Sequence, residues 1–256
     1  MSLSLAGWAK QQVNYPDPKF SEAICRIAKY GARVGYKGPI QAICRPNLVS
    51  AQEALEVINR DLESNLKNGR VVEIQELGHR FMVSPLCLVP KPFRGCRRIH
   101  HLSTPPNHSV KDYIPRHYGH LKYSLFSDAL DQVRMAGQGA ILIKRDLADA
   151  FWHIPIHPAD WWLFGFEWRG RFFQESFLPF GLQMAPQIFN FFSEGLHWIL
   201  ESRSFAAIRH YLDDFLAIFT ATDRAAATDY EQTFEEICRD LGLQINITKH
   251  CSGTSV

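Results

Sequence analysis

The stretch His210-Tyr211-Leu212-Asp213-Asp214-Phe215-Leu216 sets two adjacent carboxylates inside an apolar run. Strand-forming residues precede the pair, from Phe205 to Tyr211, and follow it, from Phe215 to Phe219. In one continuous strand successive side chains point to opposite faces, so Asp213 and Asp214 could not both meet one ligand. A tight turn removes that problem. Asp tolerates turn geometry, and two apolar arms joined by a short polar pair read as a hairpin. Two carboxylates at an apolar tip repel each other unless positive charge sits with them. A divalent cation is the natural partner, because hard cations take carboxylate oxygens. A bare Asp-Asp pair is more often a surface turn, so other groups must support the reading.

A third acid lies upstream. Ala140-Ile141-Leu142-Ile143-Lys144-Arg145-Asp146 reads as a strand entering the core and ending on Asp146. Leu147-Ala148-Asp149-Ala150-Phe151-Trp152-His153-Ile154-Pro155-Ile156 follows. Small residues after a strand-end acid suit a site that a ligand approaches closely, although a simple strand-end cap reads equally well. Cations come earlier still. Ser84 to Lys91 leads into a turn at Arg94-Gly95, and Arg97 to Ser103 returns as a second strand. Alternation puts Arg97, Ile99 and His101 on one face and Arg98, His100 and Leu102 on the other. Lys91 and Arg97 then stand close together at a hairpin end, which is unfavourable alone and useful around a triphosphate.

The elements that must position these groups are partly legible. Residues 1–49, broken by Pro16, Pro18, Pro39 and Pro46, read as an extended or loosely helical lead-in with one amphipathic stretch, Phe20 to Tyr30. Ser50 to Lys67 reads as one helix, with a Ser50–Glu53 capping box and Ala51, Leu55, Ile58, Leu62 and Leu66 on one face. Val71–Ile74 and Phe81–Pro90 read as short strands. Ser124–Met135 reads as a helix with Leu125, Leu130 and Val133 inward. Trp161–Trp168 and Phe172–Phe177 flank Arg169-Gly170 as a hairpin. Leu178-Pro179-Phe180-Gly181-Leu182-Gln183-Met184-Ala185-Pro186 opens a helix with a stripe of Ile188, Phe192, Leu196, Ile199 and Leu200, Pro186 being tolerated in its first turn. Asp223–Asp240 reads as a helix with Tyr230, Phe234, Ile237 and Leu241 inward, and Leu243–Ile247 as a strand before Lys249.

The chain has 256 residues, 46% of them hydrophobic, enough for one large domain or two small ones. No uncharged apolar segment is long enough to span a bilayer, and Met1–Lys10 has no secretory pattern. The six cysteines lack any Cys-x-x-Cys pair, so reduced thiols in an intracellular protein, cytoplasmic or nuclear, are expected. His100-His101 and His250-Cys251 are too sparse for a closed zinc site. The net charge of +2 is uneven: from Arg80 to Lys122 there are eight Lys or Arg residues against Asp112 alone. A solvated basic face or a polyanion partner explains that strip equally well.

In order and spacing, these segments resemble reverse transcriptases over about Ser50 to Lys249. The resemblance rests on the Lys91…Arg97 hairpin, Asp-Leu-x-Asp-Ala-Phe, Leu-Pro-Phe-Gly-Leu-x-x-Ala-Pro and Tyr-Leu-Asp-Asp. It is nearest to the long-terminal-repeat and DIRS-like (tyrosine-recombinase) retrotransposons, since Phe180 is typical of those groups and retroviral enzymes place Gln there. Tyr15-Pro16-Asp17 and Gly35 to Pro39 resemble the DIRS-like lead-in. The resemblance implies an α+β fold, the fingers and palm of a right-hand polymerase, with an antiparallel palm sheet packed on helices. It implies a lead-in over 1–49, a fingers-like region with the first palm elements over 50–139, and a palm catalytic region over 140–256. Only 42 residues follow Asp214, so the primer grip, thumb and RNase H regions are expected to be absent and to be sought downstream.

On the same resemblance Asp146, Asp213 and Asp214 are catalytic and, with the Leu147 backbone carbonyl, hold two Mg²⁺ ions (Mn²⁺ as alternative). One ion activates the primer 3′-hydroxyl and the other stabilises leaving pyrophosphate. Lys91, Arg97, Asp149, Ala150, Phe151, Phe180, Gly181 and Lys249 are expected to contact the incoming dNTP, Phe151 as the steric gate against a 2′-hydroxyl. Arg94, Arg98 and Tyr211 are expected on the RNA/DNA template-primer, with Tyr113, Tyr118 and Tyr123 stacking bases. Two functions of different class follow: template-directed DNA synthesis from an RNA or DNA template, or an inactive remnant that only binds nucleic acid. An RNA-directed RNA polymerase is disfavoured by Phe151.

Overall fold

The computed structural model describes residues 3–78, 80–91, 95–116, 121, 125–205 and 207–254. In chain order the helices are α1 Leu5–Gln11, α2 Pro18–Tyr30, α3 Val49–Gln52, α4 Leu55–Lys67, α5 Phe126–Ala136, α6 Ala185–Glu201 and α7 Arg224–Leu241. The strands are β1 Ile43–Cys44, β2 Val71–Ile74, β3 Met82–Val83, β4 Leu86–Pro90, β5 Cys96–His100, β6 Ile141–Asp146, β7 Gly165–Trp168, β8 Arg171–Glu175, β9 Ile208–Tyr211, β10 Asp214–Phe219 and β11 Cys251–Thr254. They form two compact units. The first comprises Met1–Lys29, Leu121–His153 and Ile188–Val256, and the second Tyr30–His120 and Ile154–Gln187.

The first unit is built on a sheet of order β11-β6-β10-β9, antiparallel at every pairing. Helix α7 covers it with Tyr230, Phe234, Ile237 and Leu241, all buried as their spacing predicts. Phe215 of β10 meets Phe234 at a ring separation of 5.6 Å. Ile188, Phe192, Leu196, Ile199 and Leu200 of α6 are likewise buried. The lead-in is more ordered than the prolines suggest. Ser4 Oγ accepts from the Gly7 N–H at 3.0 Å, capping α1, and Trp8 packs edge-on against Phe192 at 5.2 Å. A buried aromatic of that size outweighs poor local propensity.

Helix α5 departs from expectation. Leu125 and Leu130 are 65% and 40% exposed, and no residue of the helix is fully buried. Its apolar spacing does form a helix, but that face is not a core face. The segment after α7 also differs. Only Ile245 bridges to Leu147, residues Ile247–Lys249 form a 3-10 turn, and the strand that completes the sheet is β11, opposite β6.

The second unit holds a sheet of order β1-β3-β7-β8-β2 and the separate hairpin β4-β5. Ile58, Leu62, Val71, Leu86, Phe166, Trp168 and Phe173 share its core. The β7–β8 turn uses Arg169 and Gly170 at φ 54° and 75°, the paired left-handed geometry that two-residue hairpins require. Trp161 to Leu163, expected in β7, instead belong to a 3-10 turn over Pro158–Leu163. The single helix expected over 50–67 is two, and Leu55 is 46% exposed. Ser50 does not cap: its Oγ accepts from the Leu88 N–H at 3.2 Å, so the hydroxyl is taken by β4.

Candidate active site

The Tyr-Leu-Asp-Asp segment forms the expected hairpin, with its turn one residue earlier than the acid pair. Tyr211 opposes Asp214, so Leu212 and Asp213 make the turn and Asp214 is the first residue of β10. Leu212 sits at φ 55°, a strained position for a branched side chain that persists where surrounding structure enforces it. That enforcement is visible behind the turn. His210 stacks on Phe215 at 5.3 Å, and its Nδ1 shares a hydrogen bond of 2.7 Å with Nδ1 of His197 on α6. Burial, then the neighbouring His197, pushes the His210 imidazole down to about 4.

Strand register supplies the third carboxylate. Asp146 lies directly opposite Asp214 in the β6–β10 ladder, and the Leu147 N–H donates to the Asp213 carbonyl at 2.9 Å. The backbone after β6 is laced to the segment before Lys249. Asn246 N–H donates to the Asp146 carbonyl at 2.8 Å and Ala148 N–H to the Gln244 carbonyl at 2.9 Å. That ladder uses the carbonyl of Asp146 and leaves the Leu147 carbonyl out of it. Sequence reasoning missed His153, which is 2% exposed. Its Nε2 accepts from the Gln244 N–H at 2.8 Å, so its proton is on Nδ1, 3.2 Å from the Ala150 carbonyl. The ring thereby ties the Asp149–Phe151 loop to the same segment. Asp149 stands at φ 54°, Ala150 is buried, and the Phe151 ring meets Phe189 edge-on at 6.1 Å.

The charges around the three acids do not balance. Lys249 Nζ lies 2.8 Å from Asp146 Oδ2, and Lys144 Nζ, which sequence reasoning also missed, lies 2.9 Å from Asp214 Oδ1. Asp146 is 2% exposed, and its Oδ1 is buried without a hydrogen-bond partner. Burial, Asp146 and Asp214 together push the Asp213 carboxyl above the usual carboxylate range, with Lys249 opposing them. The Lys249 ammonium is pushed up chiefly by its hydrogen bond to Asp146. An orphaned buried oxygen beside crowded carboxylates is a donor set that suits a hard cation. No group of three His, Cys, Asp or Glu side chains among the described residues is arranged to hold one.

The remaining expected residues that the structure describes fall in the second unit, apart from Tyr211, which is 52% exposed beside the hairpin turn. Val89 opposes Arg97 in the β4–β5 ladder, and the Lys91 N–H donates to the Gly95 carbonyl at 3.0 Å. Lys91 and Arg97 thus flank the end of that hairpin. The Arg97 guanidinium lies 4.2 Å from the centre of the Phe180 ring, a cation–π contact. Gly181 is at φ 114°, and a Cβ there would come 2.0 Å from the His100 carbonyl oxygen. Tyr113 packs on Tyr36 at 5.6 Å.

Arg98 is not where the nucleic-acid expectation puts it. It is 6% exposed, and its guanidinium donates to Asp61 and Glu175 at 2.5 Å each. Burial opposes its charge, while Glu175 and then Asp61 hold it ionised. Strand alternation turned it inward, onto Asp61 and Glu175. Arg94, Tyr118 and Tyr123 lie outside the described residues.

All six cysteines are free, and no helix of the described residues is long and apolar enough to cross a membrane. None of the curated proteins compared with the chain matches it. Among solved structures, the fold is similar to the native prototype foamy virus protease-reverse transcriptase (TM-score 0.61, 19% identity, 86% of this chain and 27% of that one). It is also similar to the foamy viral protease-reverse transcriptase dRH in complex with ds DNA (TM-score 0.65, 18% identity, 95% of this chain and 43% of that one). A third is the foamy viral protease-reverse transcriptase in complex with RNA/DNA hybrid (TM-score 0.59, 18% identity, 98% and 34%). The chain therefore spans less than half the length of each of these three proteins. The family model described as reverse transcriptase (RNA-dependent DNA polymerase) matches residues 83–254, which include all three acids and Lys249. The chain belongs to the reverse transcriptase family.

Proposed function

We propose that this chain carries a working polymerase core that extends a primer on an RNA or DNA template, with Asp146, Asp213 and Asp214 as its catalytic carboxylates. The observation that carries the reading is the register that sets Asp146 opposite Asp214, with Asp213 in the turn between β9 and β10. Three acids from two chain segments meet at one end of a sheet with fewer cations than they need. Two bound Mg²⁺ ions, or Mn²⁺, would supply activation of the primer 3′-hydroxyl and charge neutralisation on the leaving pyrophosphate. Asp146, Asp213 and Asp214 would hold them, with the Leu147 carbonyl as a further oxygen donor.

The chain's own residues do the rest by position and charge, which dominate phosphoryl transfer. Lys91 and Arg97 take the triphosphate of the incoming dNTP, Arg97 being held in place by the Phe180 ring. Gly181 lets backbone approach the nucleotide. Asp149 and Ala150 shape the loop beneath the sugar, and Phe151 excludes a 2′-hydroxyl because Phe189 backs its ring. Lys249 stands at Asp146 and compensates charge there. Tyr211, exposed beside the acids, meets the primer-template, and Arg94 contacts the template. Foamy viral relatives in complex with ds DNA and with RNA/DNA hybrid support nucleic acid of both kinds as partner. Phe180 supports an element of origin nearest the long-terminal-repeat and DIRS-like groups.

Primer extension on an RNA template with Mg²⁺ and dNTPs tests this directly. Extension by the chain and none by Asp213→Asn/Asp214→Asn is the expected result. Retained primer-template binding with no extension by either protein would instead establish the binding remnant.

A further inference from the structure

The two lysines at the carboxylates hold different kinds of partner. Lys249 reaches Asp146, whose side chain is 2% exposed. Lys144 reaches Asp214, and those two side chains are 45% and 41% exposed. Lys144 precedes Asp146 by two residues on β6, so both side chains leave the same face. Asp214 lies across the ladder from Asp146 and opposed residues share a face, which makes Lys144 its diagonal neighbour, within reach of a long side chain. The Lys144 ammonium lies 2.9 Å from Asp214 Oδ1, a buried oxygen that makes no aligned hydrogen bond, and an ammonium and a hard cation compete for the same oxygen. An ion pair between half-exposed side chains is weak, more so without that alignment, so a doubly charged ion can replace it.

We propose that Lys144 is a positioning residue: it holds the Asp214 carboxylate in place before a divalent cation arrives, and the cation must displace it. This rests on the reading of the three acids as cation ligands. Lys144 thereby sets a threshold, keeping the site ordered while loosening its grip on the ion. The competing account is an ordinary surface ion pair that adds a little to folding and nothing to cation affinity.

Mn²⁺ titration of the full chain, without nucleotide or nucleic acid, separates the two, with free Mn²⁺ read by electron paramagnetic resonance. Lys144→Met, with Lys144→Gln as a second variant in case the first misfolds, is expected to bind Mn²⁺ about two- to fivefold tighter, the range set by surface ion-pair strengths. Lys144→Arg should restore wild-type affinity. Lys10→Met is the control for bulk charge, since Lys10 is 73% exposed and pairs with Asp240; it should leave affinity unchanged. Unchanged or weaker binding by Lys144→Met and Lys144→Gln overturns the proposal, as does equal tightening by Lys10→Met. If Asp214→Asn weakens Mn²⁺ binding while the Lys144 variants do nothing, only the role of Lys144 falls. If wild type and Asp214→Asn bind Mn²⁺ alike, or neither binds, the cation-ligand reading falls and this one with it.

Discussion

Two charge clusters, one in each unit, are built on opposite plans. In the second unit a single guanidinium, Arg98, lies between Asp61 and Glu175, and the Arg98 and Glu175 side chains are 3% and 1% exposed. A planar fork with fixed donors binds two carboxylates at once, with Asp61 25% exposed and one buried oxygen of Glu175 left unbonded. In the first unit three carboxylates meet two flexible ammonium groups, one contact each. One buried oxygen of Asp146 goes unbonded, and Asp214 stands half in solvent. Each cluster carries one more carboxylate than cation, so charge alone does not separate them. The second unit's rests on one rigid, buried guanidinium, whereas the first unit's rests on flexible, partly exposed ammonium groups that a cation can replace.

The contrast is tested most severely by Asp213→Asn/Asp214→Asn. It should cut primer extension by at least about a thousandfold, as expected when charge compensation at the reacting groups is lost, without lowering thermal stability. A parallel fall in Tm would make this cluster structural too. Arg98→Ala should do the reverse. It strands Glu175 in the core and should cost about 3–5 kcal/mol in urea unfolding, whereas a small loss would mean that the triad is not sealed. Phe151→Ala should raise ribonucleotide relative to deoxynucleotide incorporation by about tenfold, the scale of a lost steric contact. No change would make Phe151 a packing residue like Phe189.

The smallest effect concerns pH. Asp213 binds its proton more readily in the fold than in the unfolded chain, so its ionisation weakens the fold as pH rises through the raised value. Asp213→Asn should therefore raise the cation-free Tm at pH 7 by about 2–4 °C, the shift that ~1 kcal/mol makes at this chain length. The gain should fade as pH falls through that value, because the wild-type group is then already neutral. A gain that persists at acid pH would remove the charge explanation.

What could be read from the sequence was what is local. The β9–β10 hairpin, the buried stripes of α6 and α7 and the Arg169-Gly170 turn depend on period and turn chemistry within a few residues. Arg98 was misjudged because its partners lie 37 and 77 residues away. Alternation did place it opposite Arg97, and that was the available signal. Lys144 was passed over beside Arg145 at the charged end of β6, though its two-residue offset from Asp146 could have marked it. Helix α5 has an apolar stripe that faces no core, and no periodicity distinguishes that from burial. Ser50 and Glu53 made a plausible cap until β4 claimed the hydroxyl.

Phe180 and Gly181 sit side by side and have opposite freedom to change. The Phe180 backbone carbonyl accepts from the His100 N–H at 2.8 Å, a bond that any residue could make, while its ring touches Arg97 as one of several ways to steady a guanidinium. Gly181 has no such latitude, since its α-carbon is pressed against the His100 carbonyl. Across diverging copies of such an element, position 180 can drift and alter how Arg97 is held. Position 181 can change only if β5 moves away, carrying Arg97 with it.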